Sequence, residues 1–176
     1  GMKIYCPASF AELRRMLRLA VLEDKGPVAV RYPRGGEGNY QTDKAQSLLK
    51  EGKDCTVITY GTTINAVLEA AEGCEKEGIS VEVLKLATIA PLDFAAIEAS
   101  CRKTGRVLVV EETSNHGCVA DELFARLLQS GVMGHFCKQN LGDGYICHGA
   151  MQDLYALAGL NAQALRDKIR EVCHEA

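Results

Sequence analysis

The segment Arg31-Tyr32-Pro33-Arg34-Gly35 contains two arginines in a setting that suits ligand binding. It follows the apolar stretch Val28-Ala29-Val30, which predicts a strand, and Pro33 restricts the backbone between the two guanidinium groups. Ligands of parallel sheets gather at the carboxyl ends of strands, and arginine donates two parallel charge-assisted hydrogen bonds to a phosphate. The residues alone fit two interpretations: a phosphate site at Arg31 and Arg34, or an arginine packed against an acidic residue at a domain junction.

A second polar segment, from Glu111 to Gly117, also follows a predicted strand and leads into a predicted helix. The paired carboxylates of Glu111 and Glu112 near His116 are able to perform acid–base chemistry. They suit a subunit interface equally, with Glu111 or Glu112 paired with a partner's arginine. We favour the interface, because no substrate-sized group of polar residues accompanies them.

Gly61-Thr62-Thr63 lies between a predicted strand and a predicted helix, where backbone N–H groups are able to hold an anion. The segment lacks the second glycine and the lysine of a phosphate-binding loop, and the chain contains no G-x-G-x-x-G motif. The segment is therefore predicted to be a tight structural turn.

The eight cysteines and four histidines do not show the spacing of a metal or redox site. No C-x-x-C pair is present, and no two histidines stand three or four positions apart. Most cysteines have apolar neighbours, as Cys55 does, and a cysteine in that setting acts as a small core residue. We therefore predict no catalytic, cofactor-binding or metal-binding residue among them.

Strands and helices alternate along most of the chain, which predicts an α/β fold: a mostly parallel sheet with helices on both faces, in three layers. Ser9 and Glu12 form a capping-box pattern before the first helix. Helices are predicted over residues 10–22, 64–77, 93–101, 117–128, 152–158 and 162–172, and strands over residues 2–5, 28–30, 55–60, 80–86, 106–111 and 135–140, with a possible short strand near 46–49.

The first 36 residues predict a β-α-β unit that is too small to bury its own faces, which indicates part of a larger sheet. Residues 37–53 are weakly patterned and are interpreted as a linker. Residues 54–176 then form the second domain. This organisation leads us to expect a fragment of a longer protein.

The composition excludes several classes of partner. The chain has 176 residues, of which 47% are hydrophobic, and a formal net charge of −3, whereas nucleic acids and anionic membranes attract basic surfaces. No apolar run approaches the roughly 20 residues of a membrane span, and the first residues lack the layout of a signal peptide. We expect a cytoplasmic protein that binds neither nucleic acid nor membrane.

Taken together, the motifs resemble the C-terminal portion of the 1-deoxy-D-xylulose-5-phosphate synthases, thiamine-diphosphate-dependent enzymes of the transketolase family. The resemblance covers essentially the whole chain, and its most specific parts are the Arg-Tyr-Pro-Arg-Gly segment and the tail. It rests on residues 3–9, 12–22, 26–35, 59–62, 86–93, 110–112, 140–143, 148–149 and 154–162. One departure is that a single glycine, Gly117, follows the acidic pair, where the family usually has two or more.

The resemblance implies that residues 1–36 are the end of a pyrimidine-binding domain and residues 54–176 a transketolase C-terminal domain. The intact enzyme condenses pyruvate, with loss of carbon dioxide, with glyceraldehyde 3-phosphate, and it supplies isoprenoid and thiamine precursors. It uses thiamine diphosphate and Mg²⁺, but the family's cofactor-binding motif is absent from this sequence. We therefore expect a fragment or split subunit that binds no cofactor and is inactive by itself.

In that family the segment contributes subunit contacts and an anchor for the substrate phosphate, at Arg34 and Arg31. We expect a homodimer or a higher oligomer with contacts from residues 111–128, together with the cofactor and pyrimidine-binding domains of the synthase. Two alternatives stay open: the C-terminal part of another transketolase-like enzyme or of a 2-oxoacid dehydrogenase β-subunit, and a non-catalytic subunit-pairing module.

Overall fold

The computed structural model describes residues 1–33, 35–43 and 47–174. Strands and helices alternate as the sequence predicts. The strands are β1 (Lys3–Tyr5), β2 (Val28–Val30), β3 (Leu48–Lys50), β4 (Cys55–Thr59), β5 (Val81–Lys85), β6 (Thr88–Ala90), β7 (Arg106–Val110) and β8 (His135–Gln139). The helices are α1 (Phe10–Leu22), α2 (Ile64–Glu75), α3 (Phe94–Thr104), α4 (Val119–Gln129), α5 (Met151–Leu157) and α6 (Ala162–His174).

The main sheet has five strands in the order β3-β5-β4-β7-β8. Its neighbouring strands are parallel except for the edge strand β3, which pairs antiparallel with β5. Strands β4 and β5 are buried along their whole length, because helices cover both faces of the sheet. One core lies on the side of α2 and α6 and the other on the side of α3 and α4. The predicted three-layer α/β fold is confirmed.

A second, three-stranded sheet has the order β2-β1-β6. Strands β1 and β2 are parallel and α1 connects them, which gives β-α-β topology; that this unit is the end of a larger domain stays a prediction. Strand β6 pairs antiparallel with β1 and was not predicted, because three residues just before Pro91 carry too little pattern. The sequence also indicated a strand near 46–49; β3 begins at Leu48, and residue 46 lies outside the described residues.

The start of α1 confirms Ser9 as the N-cap, but Glu12 returns its bond to Ala8, one residue before the position that a capping box uses. The Oγ atom of Ser9 accepts a hydrogen bond of 3.1 Å from the backbone N–H of Glu12. The carboxylate of Glu12 in turn accepts one of 2.9 Å from the backbone N–H of Ala8. The first of these bonds satisfies an N–H group that a helix start leaves without a partner. None of the described helices is long and apolar enough to cross a membrane.

Helix α1 leaves an apolar face in solvent. Phe10 is 52% exposed, Leu17 43%, Val21 77% and Leu22 68%. Exposed apolar patches of this kind mark interaction surfaces. The opposite face of α1 packs inward, with Glu12 and Met16 buried.

Candidate functional site

The carboxyl ends of β1, β2 and β4 border a cavity of about 300 Å³. Its wall includes Phe10 and Leu13 of α1, Tyr32 and Pro33 after β2, and Thr62 after β4. Pro33 and Gly35 flank Arg34 and both line the cavity, whereas Arg34 itself lies outside the described residues. The segment with the predicted phosphate site therefore borders a largely apolar cavity at the carboxyl edge of the sheets.

Arg31 connects the two sheets. Its backbone N–H donates to the carbonyl oxygen of Tyr5, the last residue of β1, at 2.8 Å. Its Nη2 atom donates to the backbone carbonyl oxygen of Glu112 at 2.7 Å, and its guanidinium lies 5.7 Å from the centre of the Tyr60 ring. This is the arrangement of the junction interpretation, with a main-chain oxygen as the acceptor. Phosphate binding by Arg31 stays a prediction.

Glu111 is fully buried at the end of β7. Its carboxylate accepts hydrogen bonds of 3.0 Å from the backbone N–H groups of Val119 and Ala120, at the start of α4, and one of 2.7 Å from the hydroxyl of Tyr60. Burial and the charge of Glu111 raise the pKa of Tyr60. Glu111 is buried and engaged by donors of its own chain, so it is not placed to pair with a partner's arginine; the same pairing at Glu112 stays a prediction.

Glu112 is half-buried and accepts hydrogen bonds from two separate parts of the chain, the segment after β2 and helix α5. Its backbone carbonyl accepts from Arg31, and its Oε2 atom accepts from the hydroxyl of Tyr155 on α5 at 3.1 Å. Burial first, and then the charge of Glu112, raise the pKa of Tyr155. His116 is exposed and lies 3.5 Å from Asp143, so the acid–base group considered for this segment is not assembled.

A buried ion pair joins α1 to the main sheet. The ammonium group of Lys85, at the end of β5, contacts the carboxylate of Glu12, and neither side chain is exposed. Lys85 also donates to the hydroxyl of Tyr40 at 2.6 Å. Sequence reasoning missed this cluster, although a lysine within an apolar strand was a signal, since a buried charge needs a partner. Tyr40 and Tyr155 had no comparable signal.

The Gly61-Thr62-Thr63 segment is a short 3₁₀ turn, which confirms the structural prediction. Gly61 has a φ of 64°, a conformation that glycine adopts without strain. The hydroxyl of Thr63 donates to the carbonyl oxygen of Tyr60 at 2.7 Å and thereby holds the turn closed. The side chain of Thr63 is therefore used for structure, whereas Thr62 lines the cavity.

Five of the eight cysteines are buried, in agreement with their prediction as core residues: Cys6, Cys55, Cys74, Cys101 and Cys118. Burial raises the pKa of Cys6 to about 11 even with Arg31 nearby, which leaves this thiol protonated and weakly nucleophilic. Within residues 1–33, 35–43 and 47–174, no group of three or more His, Cys, Asp or Glu side chains is placed to hold a metal ion.

Residues 43–165 match the family model described as "Transketolase, C-terminal domain". The chain belongs to this family. The 1-deoxy-D-xylulose-5-phosphate synthase of Chlorobium phaeovibrioides is 35% identical over 97% of this chain, and that of Chlorobium luteolum is 32% identical over 97%. The synthase 1 of Geobacter metallireducens is also 32% identical over 97%. The chain spans 28% of the length of each of these relatives.

The solved structure of a split gene transketolase, described as an inactive beta4 tetramer, has the same fold. It superposes with a TM-score of 0.86 at 28% identity and covers 98% of this chain and 58% of that one. The transketolase C-terminal fold is thus established for this chain, which corresponds to a part of its longer relatives.

Proposed function

We propose that this chain is the C-terminal part, as a fragment or a split subunit, of a cytoplasmic 1-deoxy-D-xylulose-5-phosphate synthase. The complete enzyme condenses pyruvate with glyceraldehyde 3-phosphate and releases carbon dioxide, and its product serves isoprenoid and thiamine synthesis. The observation that carries the proposal is the identity of 35% to such a synthase across 97% of the chain. This span includes the Arg-Tyr-Pro-Arg-Gly segment, which lies outside the matched family domain.

The cofactor site of the complete synthase belongs to its other domains in this proposal. Thiamine diphosphate supplies the electron sink for decarboxylation when it is bound. The described residues do not fit its Mg²⁺–diphosphate group, because they include no suitable set of acidic ligands. In this proposal the chain contributes no step of the cofactor chemistry. Its own residues bind the substrate phosphate and orient the substrate.

The role we assign to this chain is to anchor the substrate phosphate and to provide subunit contacts. Arg34 and Arg31 belong to the segment that borders the cavity at the carboxyl edge, and both carry the charge that a phosphate needs. The exposed apolar face of α1 is suited to contact the remaining domains of the synthase.

The direct test is reconstitution with the polypeptide that carries the cofactor domains. The complete enzyme should form 1-deoxy-D-xylulose 5-phosphate from pyruvate and glyceraldehyde 3-phosphate, whereas this chain alone should show no heat of thiamine diphosphate and Mg²⁺ binding in calorimetry. If the complete enzyme used a different acceptor instead, or a lipoyl group as 2-oxoacid dehydrogenases do, the proposed reaction would be wrong and another reaction of the family would take its place.

The phosphate anchor is tested by Arg34→Ala in the complete enzyme. Loss of a charge-assisted contact costs about 1.5–3 kcal/mol, so the KM for glyceraldehyde 3-phosphate should rise roughly 10–150-fold while the KM for pyruvate stays unchanged. Arg102→Ala, at an exposed arginine of α3, is the matched control. Equal increases for both substrates would exclude an anchor at Arg34.

A second candidate function is a non-catalytic module that pairs subunits. It is favoured by the description of the structural relative as an inactive beta4 tetramer. A chain that forms stable oligomers but adds no activity to any cofactor-bearing partner would support this function over the first.

A further inference from the structure

We infer that Tyr155 is a positioning residue that keeps Arg31 available for phosphate by holding the carboxylate of Glu112 away from it. The inference rests on the proposed function, in which Arg31 faces a phosphate-bearing substrate. Tyr155 lies on α5, more than a hundred positions along the chain from Arg31, and nothing in its local sequence marks it for this role.

The backbone carbonyl and the side-chain carboxylate of Glu112 accept hydrogen bonds from two different residues. The backbone carbonyl oxygen accepts from the Nη2 atom of Arg31 at 2.7 Å, while the side-chain Oε2 atom accepts from the Tyr155 hydroxyl at 3.1 Å. In the described part of the chain, Arg31 makes no ion pair within 4.0 Å with the carboxylate of Glu112. Guanidinium and carboxylate groups within reach form strong charge-assisted hydrogen bonds, so a Glu112 side chain released by Tyr155 would compete for Arg31.

The hydroxyl of Tyr155 therefore competes with Arg31 for the same carboxylate. The rest of Arg31 is held by other contacts: its guanidinium lies over Tyr60, and the hydroxyl of Tyr60 is fixed by Glu111. Arg31 is exposed, its Nη2 atom is used by the Glu112 carbonyl, and its guanidinium also lies within hydrogen-bonding reach of the Cys6 thiol, so the N–H donors that are left over are the ones a phosphate is able to use. A phosphate is able to use those donors only while the carboxylate stays with Tyr155.

Helix α5 reaches the strand ends through Tyr155, whose hydroxyl binds Glu112 and also lies within hydrogen-bonding reach of Thr62. It has seven residues and none of them is fully buried, so its attachment to the sheet is light. Tyr155 is half-buried and packs against the core beside α2 and α6. The closing part of the chain is thus linked to the strand ends through a tyrosine–glutamate hydrogen bond.

The test is Tyr155→Phe in the complete enzyme, with the KM for glyceraldehyde 3-phosphate and for pyruvate measured separately. Without the hydroxyl, Glu112 turns to Arg31 and neutralises it, so the KM for the phosphate substrate should rise about 10-fold, the lower end for loss of a charge-assisted contact. The KM for pyruvate should not change. Tyr145→Phe, at a side chain that is 95% exposed, is the matched control.

The decisive variant adds Glu112→Gln to Tyr155→Phe. Glutamine cannot neutralise Arg31, so the double variant should recover a KM within about twofold of wild type, whereas a purely structural role of Tyr155 gives no recovery. An unchanged KM in Tyr155→Phe, or a double variant as weak as the single one, would overturn the inference. An inactive wild-type complete enzyme would instead overturn the proposed function.

Discussion

The ammonium group of Lys85 contacts the carboxylate of Glu12, and both side chains have no exposure to solvent. The two residues come from different parts of the fold. Glu12 lies on α1, beside the small sheet, and Lys85 is the last residue of β5 in the large sheet. The hydroxyl of Tyr40 completes the cluster at 2.6 Å from Lys85, from within the predicted linker. This contact joins the β-α-β unit to the main body.

Lys85→Met should destabilise the protein by about 3–5 kcal/mol, because it leaves the Glu12 carboxylate buried without its cation. The free energy of unfolding in urea measures this loss. The control is Lys50→Met, which removes a surface pair of 2.7 Å with Glu75 and should cost no more than about 1 kcal/mol. Similar losses in the two variants would mean that the buried pair does not hold the units together.

Glu111→Ala should destabilise the protein by about 3–5 kcal/mol, since it leaves buried donors of α4 and Tyr60 without an acceptor. Thermal unfolding of the variant checks this expectation. Glu122→Ala, at an exposed position of the same helix, should unfold close to wild type. A stable Glu111→Ala protein would reopen an interface role for this carboxylate.

The free energy of unfolding should fall at alkaline pH, because buried thiols ionise at a lower pH in the unfolded chain than in the folded protein. Burial, and then the charge of Glu82, raise the pKa of Cys101 from 9.0 to about 12. Because this pKa is higher in the folded protein, the free energy of unfolding is unaffected by Cys101 below pH 9, the pKa of the thiol in the unfolded chain. It falls as the pH rises from about 9 toward about 12. At pH 10 one such thiol lowers the free energy of unfolding by about 1.4 kcal/mol.

Denaturation at pH 8 and pH 10 measures this dependence. Cys101→Ala should reduce the difference between the two pH values, whereas Cys147→Ala, at an exposed cysteine, should leave it as in wild type. If Cys101→Ala leaves the difference in the free energy of unfolding between pH 8 and pH 10 unchanged, groups other than Cys101 cause the loss of stability at alkaline pH.

The isolated chain should associate, because α1 exposes apolar side chains to solvent. Light scattering at tens of micromolar should give at least twice the mass of 19.1 kDa. Leu17→Glu and Leu128→Glu separate two candidate interfaces, since Leu17 is on the exposed face of α1 and Leu128, 53% exposed, ends the predicted 111–128 contact region. Dissociation by one of them identifies the interface, and a wild-type monomer contradicts the prediction.

The helices and the strands of the main sheet could be predicted from sequence. Buried parallel strands such as β4 and β7 appear as short apolar runs, and the Ser9 and Glu12 pair marks a helix start through neighbouring residues. Strand β6 escaped prediction because its three residues are held by pairing with β1, which no local pattern reports.

By itself the sequence determined the α/β alternation, the placement of most cysteines in the core and the resemblance to the transketolase family, because each depends on residue types at short spacing. Only the tertiary structure decided that Glu12 meets Lys85, that Glu111 caps α4 and that Arg31 binds the carbonyl of Glu112. The contacts of Glu12 and Arg31 join residues 73 and 81 positions apart. Such pairs form where the packing of helices and sheets brings distant strand ends together, and local propensity carries no information about that distance.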